Sequence, residues 1–139
     1  MVLPGMHVGD IAVHGWDLSR ATGAPWRIER SEAVITLEAM FGVMRYYVNE
    51  DAAAGLRATY AVKLRGGPSL AATFHDGTLE VAEGSPAHAD CRFLNDPVAF
   101  LLLAYHRIPL WKAAVTGKAI AYGRKPWLAL KFPDLVAAP

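Results

Sequence analysis

The hydrophobic period of this chain changes at Gly55, and that change limits what it can fold into more than any other feature. Between Ser31 and Ala53 the apolar residues Val34, Leu37, Phe41, Met44 and Val48 recur every three to four positions, the spacing that gathers side chains on one face of a helix. From Leu56 onward, Leu56, Ala58, Tyr60, Val62 and Leu64 alternate with Arg57, Thr59, Ala61 and Lys63, the two-residue period of a half-buried strand. A helix must therefore lie against a sheet. Ser31 is positioned to cap the helix and Gly55 to end it.

The remaining elements follow from the same signals. His7, Ile11, His14 and Leu18 share one face of a helix over Met6–Ala21, stopped by Gly23 and Pro25. Arg65-Gly66-Gly67-Pro68 reads as a turn, and strands are expected over 70–75 and 78–82. Between them Asp76-Gly77 supplies the positive φ of a tight hairpin. A short strand at 89–94 leads to Asn95 or Asp96 as the cap of a helix with Pro97 in its first turn, running to about Tyr105. A short helix over 110–115, a strand over 118–122 and a last helical piece over 126–132 complete the chain. That mixture argues an α+β fold.

The totals exclude several classes. At 139 residues there is room for one core, and 14 Lys and Arg against 13 Asp and Glu provide no global attraction to nucleic acid. Hydrophobic residues make up 53% and charged residues 19%, an apolar surplus that a large core, a lined cavity or a subunit interface must absorb. The longest apolar run, Val98 to Tyr105, is far short of the roughly 20 residues of a membrane-spanning helix, so no membrane insertion is expected. Met1 to Asp10 has no secretory pattern, and a cytoplasmic location is expected. The single cysteine, Cys91, rules out an internal disulfide and reads as an inert buried thiol.

Few residues suggest chemistry. His7, Asp10 and His14 lie on one side of the first helix and could face a divalent cation, or pack as interface histidines with bonded nitrogens. His75 beside Asp76 has the solvated position usual at a hairpin, and His106-Arg107 complements the negative end of the preceding helix. No phosphate loop, nucleophile elbow or zinc-protease helix is present. The larger apolar residues Phe41, Met44, Tyr60, Phe74, Phe93, Phe100, Leu101, Trp111 and Trp127 are the candidate ligand-binding set. They either line a pocket between helices and sheet or fill an ordinary core.

Two stretches bring known families into view. Ala89-Asp90-Cys91-Arg92-Phe93-Leu94-Asn95-Asp96-Pro97, the apolar helix after it, Trp111-Lys112-Ala113-Ala114-Val115-Thr116-Gly117, Tyr122-Gly123 and the Leu-rich end together resemble sterol carrier protein domains. The resemblance extends over Leu56 to Pro133. It implies a mixed sheet of about five strands covered by helices, with a hydrophobic tunnel for fatty acyl chains, sterols or other apolar molecules. Asp10-Ile11-Ala12-Val13-His14-Gly15-Trp16-Asp17-Leu18 resembles the last core helix of mycothiol-dependent maleylpyruvate isomerases and their DinB-like relatives. That second resemblance implies Asp10 and His14 as ligands of a catalytic metal, for which zinc is the candidate, and residues 1–25 as a helix retained from a bundle ahead of a carrier domain at 26–139.

The expectation is thus a carrier for an apolar small molecule, with no cofactor and no nucleic-acid partner. A small enzyme acting on a hydrophobic natural-product intermediate, with Tyr60, His75 or Tyr122 as donors, is the alternative, and a metal-dependent isomerase remnant sharing His7, Asp10 and His14 between two copies is another. A first helix without its bundle leaves Ile11 and Leu18 to bury against the domain or a second copy, so a homodimer is expected.

Overall fold

The change of period at Gly55 is the boundary between a helical layer and a sheet. The computed structural model describes residues 2–136. Helix α1 spans Val2–Thr22, α2 Arg30–Val43 and the single turn α3 Glu50–Ala53. Strands β1 Arg57–Leu64, β2 Ser69–His75, β3 Thr78–Glu83 and β4 Cys91–Asn95 follow. Then come α4 Pro97–Ala104, α5 Leu110–Val115, β5 Ala119–Tyr122, a 3₁₀ turn at Pro126–Leu130 and α6 Phe132–Leu135.

The five strands form one sheet in the order β3-β2-β1-β4-β5, with β1 and β4 parallel and every other pair antiparallel. This is an α+β fold with a mixed sheet, as the sequence leads one to expect. Alternation sets its two faces: Ala58, Tyr60, Val62 and Leu64 of β1 point inward with Leu70, Ala72 and Phe74 of β2 and Cys91 and Phe93 of β4. The β2–β3 hairpin closes through Asp76 at φ 48° and Gly77 at φ 88°, the mirror-image turn that strand twist favours. Asp76 Oδ1 also accepts the Gly55 N–H at 2.9 Å, tying the hairpin to the end of α3.

The first helix starts earlier than the expected Met6, β4 is shifted from 89–94 to Cys91–Asn95, and the last helical piece divides into the 3₁₀ turn and α6. The segment expected as one helix over Ser31–Ala53 differs at both ends. The N-cap of α2 is Glu29, two residues before Ser31, and its N–H donates to the Glu32 carboxylate at 2.9 Å. The helix expected over Ser31–Ala53 breaks after Val43, tightens to a 3₁₀ turn at Met44–Tyr46 and restarts as α3. Asn49 is the reason: its side chain accepts the Ala52 N–H at 3.2 Å, so it starts a new helix in place of continuing the old one. Val48 bridges to Val136 in the gap.

Helix α1 packs the opposite way from the amphipathic reading. Ile11 and Leu18 are exposed, together with His7, Asp10 and His14, while Gly5, Gly9, Ala12 and Val13 are buried. A Cβ added at Gly5 would lie 2.6 Å from Ala39 Cβ, and one at Gly9 would collide with Thr36 Cγ2. The two helices cross backbone to backbone, and only the smallest residues permit that approach. Trp26 folds over Gly15 and donates its indole N–H to Ala12 O at 3.1 Å. The Arg107 guanidinium grips Asp17 with two bonds, of 2.8 and 3.0 Å. Ala12 and Val13 belong to the same buried cluster as the sheet, so α1 shares the core of the fold.

An apolar cavity between α2, α4 and α6

The candidate site forms where α4 crosses the inner face of the sheet. Asp96 Oδ2 accepts the Ala99 N–H at 3.0 Å, Pro97 takes the first helical position, and the run Phe100 to Leu103 is buried as a result. The helix stops at a left-handed His106 (φ 56°), with the His106 N–H donated to Leu103 O at 3.0 Å and the Arg107 N–H to Leu102 O at 2.7 Å. These bonds satisfy the last carbonyls of α4. They do the work expected of the charges at His106-Arg107, and Arg107 spends its guanidinium on Asp17.

Phe100 is the hub. Its ring meets Phe41 and Phe93 edge-on, each at 6.2 Å, and Phe132 at 6.1 Å. Tyr60 packs on Phe132 at 5.0 Å from below, and its hydroxyl donates to Leu128 O at 2.8 Å, which pins the 3₁₀ turn under the sheet. Burial pushes the Tyr60 phenol well above its ordinary range, with Cys91 and Asp90 adding to the effect.

Around this hub a cavity of about 50 Å³ is bounded by Leu37, Met40, Phe41 and Met44 of the α2 side, Phe93 of β4, Phe100, Leu103 and Ala104 of α4, and Phe132, Pro133 and Val136. None of these side chains titrates or forms a strong hydrogen bond. Such a site binds, shields and orders an apolar group, and offers it no acid, base or nucleophile. On its outer side Phe41 also borders an open groove with Glu38, Arg45, Leu70 and Glu83, so the two hollows share this ring as a wall.

The sequence-derived set divides. Phe41, Met44, Phe93 and Phe100 converge on the cavity. Tyr60, Phe74 and Leu101 are buried beneath or beside it as packing residues. Trp111 and Trp127 lie elsewhere, exposed on α5 and the 3₁₀ turn, because the buried sides of those short elements are taken by Ala113 and by Leu128 and Ala129. The set lacks Met40, Leu103 and Phe132, although Met40 stands three residues after Leu37 and four before Met44 on one helical stripe.

The candidate donors Tyr60, His75 and Tyr122 do not meet. Tyr60 is buried, His75 is exposed at the hairpin, and Tyr122 is exposed on β5. Asp10 and His14 look outward from α1. Among the described residues no three His, Cys, Asp or Glu side chains gather to hold a metal ion, so the residues of one chain do not fit the zinc that the second resemblance implies. Cys91 is fully buried and its thiol is pushed upward by that burial.

A helical layer over a five-strand mixed sheet, with an apolar cavity between them, is an α+β architecture able to hold an apolar group. The family model described as the SCP-2 sterol transfer family matches residues 44–123, more than half of the chain, and the protein belongs to that family. The match includes the sheet, α4 and α5 and leaves α1 and α2 outside. Among solved structures, the sterol carrier protein domain 2 of Helicoverpa armigera superposes with a TM-score of 0.57 at 20% identity, over 73% of this chain and 84% of that one. Palmitated SCP2L2 from Aedes aegypti gives 0.53 at 18% identity, over 74% and 90%. The inverting sec-alkylsulfatase Pisa1 from Pseudomonas sp. gives 0.65 at 20% identity over 87% of this chain, which spans only 20% of the sulfatase. At these identities the likeness is one of fold. No curated protein matches the sequence significantly.

Proposed function

We propose that this protein is a binding module that carries one apolar small molecule, of the fatty acyl, sterol or polyketide-like class, between α2, α4 and the sheet. The observation that carries the reading is the lining of the cavity, eleven residues from four parts of the chain and all of them apolar. Membership of the SCP-2 sterol transfer family and the palmitated state of the Aedes aegypti relative point the same way.

The size of the cavity adds a requirement. About 50 Å³ is less than two waters' share of liquid volume, and a site for a drug-sized ligand usually has roughly 300–1,000 Å³. An acyl chain or sterol must therefore push its walls apart. Met40 and Met44 are suited to this, since unbranched thioethers change rotamer at little cost, and Phe41 is the ring that must swing to join cavity and groove. Binding should accordingly be slow to begin and should tighten α2 against α4 once complete.

Native mass spectrometry of gently purified protein, followed by titration with a fluorescent fatty acid, tests the reading. An adduct of a few hundred daltons lost on denaturation, together with saturable retention of the probe at one per chain, is the expected result. A ligand-free species that also fails to retain fatty acid, sterol or a long-chain alcohol would overturn it.

A further inference from the structure

The charge of this chain is unevenly divided, and the structure turns the division into a surface. From Pro97 to the C-terminus there are six basic side chains and one acidic one, a net +5, against eight basic and twelve acidic in the first 96 residues, a net −4. Arg107 is used inside the fold on Asp17. The other five, Lys112, Lys118, Arg124, Lys125 and Lys131, are all exposed on or beside α5, β5 and the 3₁₀ turn, three consecutive elements that adjoin at one edge of the sheet. Of the carboxylates nearest in the chain, Asp90 accepts the Thr59 N–H and Asp96 the Ala99 N–H, which leaves Asp134 as the one exposed acidic side chain beside Lys131.

The same edge carries large apolar side chains in water. Trp111 and Val115, four apart on α5, are 67% and 79% exposed. Trp127 and Leu130, three apart on a 3₁₀ turn and so on the same side of it, are 59% and 69% exposed. We propose that this α5–β5–3₁₀ edge is a docking surface for an anionic phospholipid bilayer, with the tryptophans at the headgroup level, Val115 and Leu130 reaching the acyl boundary, and the lysines and arginines on lipid phosphates.

The chemistry selects this partner over others. Exposed aliphatic groups gain nothing from a nucleic acid, whose phosphates would use only the basic residues. A second copy meeting through the same patch would set five cations against five, and a two-fold interface superimposes like on like. A bilayer rewards all three components: tryptophan favours the interface, aliphatic groups favour the acyl boundary, and the anionic leaflet attracts clustered basic residues. Among the described residues no helix is long and apolar enough to cross a membrane, so the association is peripheral.

Co-sedimentation with vesicles of phosphatidylcholine, with and without phosphatidylglycerol, tests the assignment in the intact chain, with tryptophan emission as a second readout. Binding with a blue shift is expected on the anionic vesicles, little on phosphatidylcholine alone, and progressive release as salt is added. The pair Arg124→Gln with Lys125→Gln should lower partitioning roughly tenfold or more, since each basic group near an anionic surface contributes about fivefold. Trp127→Ser with Leu130→Ser should lower it by a similar factor and reduce the blue shift to the part contributed by Trp111. All four residues lie outside the cavity, so both pairs should retain fluorescent fatty acid as the parent does, which separates failure of docking from failure of the carrier reading. Equal binding to both vesicle types, no binding to either, or variants that bind undiminished would overturn the proposal. So would self-association or nucleic-acid binding that depends on these residues where vesicle binding does not.

Discussion

Helix α2 meets α1 along one side and the cavity along the other, and the two seams are built from different material. Toward α1 it offers Thr36 and Ala39 to Gly5 and Gly9, so the contact is backbone against short side chain. Toward α4 it offers Leu37, Met40 and Phe41, joined by Met44 just past its end, long side chains that leave about 50 Å³ unfilled. The difference teaches what each seam is able to do. A glycine seam has no rotamers to change and holds its spacing rigidly, whereas aromatic and thioether side chains can be rearranged by a guest. One helix thus serves as a fixed wall on one side and a movable one on the other.

The comparison breaks most directly at Gly9. A glycine-to-alanine change inside a helix ordinarily adds about 0.8–1 kcal/mol of stability. Here the added carbon meets Thr36, so Gly9→Val should instead cost about 3 kcal/mol in urea unfolding, and Thr36→Ser should recover part of the loss. Unchanged or raised stability would mean that the α1 seam is loose. On the other side, Ala104→Leu adds three carbons to the cavity wall. Fluorescent fatty-acid retention should fall at least tenfold while the free energy of urea unfolding stays within about 1 kcal/mol of the parent, because the new atoms enter space that is already apolar.

Tyr60 tests whether the floor beneath the cavity is as fixed as the glycine seam. Tyr60→Phe leaves the Leu128 carbonyl without its donor and should cost about 1–2 kcal/mol. The pH dependence follows from the raised phenol: the folded state holds a proton that the unfolded chain releases near the ordinary tyrosine value. That contribution is fully present below about pH 10 and is lost as pH rises beyond it. The alkaline fall in the parent's melting temperature should be shallower in Tyr60→Phe, with the remainder shared by Tyr105 and Cys91, both of which burial also raises. The smallest effect belongs to Asp17→Asn. Both partners of this ion pair are more than a third exposed, so its loss should cost about 0.5 kcal/mol, and less in high salt.

Much of the fold is legible before any coordinates. The period change at Gly55, the Asp76-Gly77 hairpin, the Asp96-Pro97 helix start and the short helix at 110–115 all stand where local signals put them. These are effects of a few neighbouring residues: a φ preference, a capping oxygen, an alternation. The candidate site is only half legible. Phe41, Met44, Phe93 and Phe100 sit on well-patterned elements and reach the cavity, while Phe132 belongs to a short C-terminal turn with no period to mark its inner side. Trp111 and Trp127 mislead because size and hydrophobicity speak for burial, yet on an element of five or six residues the neighbouring Ala113 or Leu128 can take the inner position.

By itself the sequence determined the class of fold and most of its elements, because those follow from backbone preferences and local hydrophobic period, and its motifs between Ala89 and Gly123 carried the resemblance to the family. Tertiary structure alone decided that α1 would bury glycine and alanine and leave Ile11 and Leu18 in water, that a small cavity would remain around Phe100, and that five basic residues and two tryptophans would share one edge. The reason is one of geometry. Hydrophobicity ranks what each residue gains from burial, but when two helices can approach only where side chains are absent, close contact between their backbones settles which face turns inward.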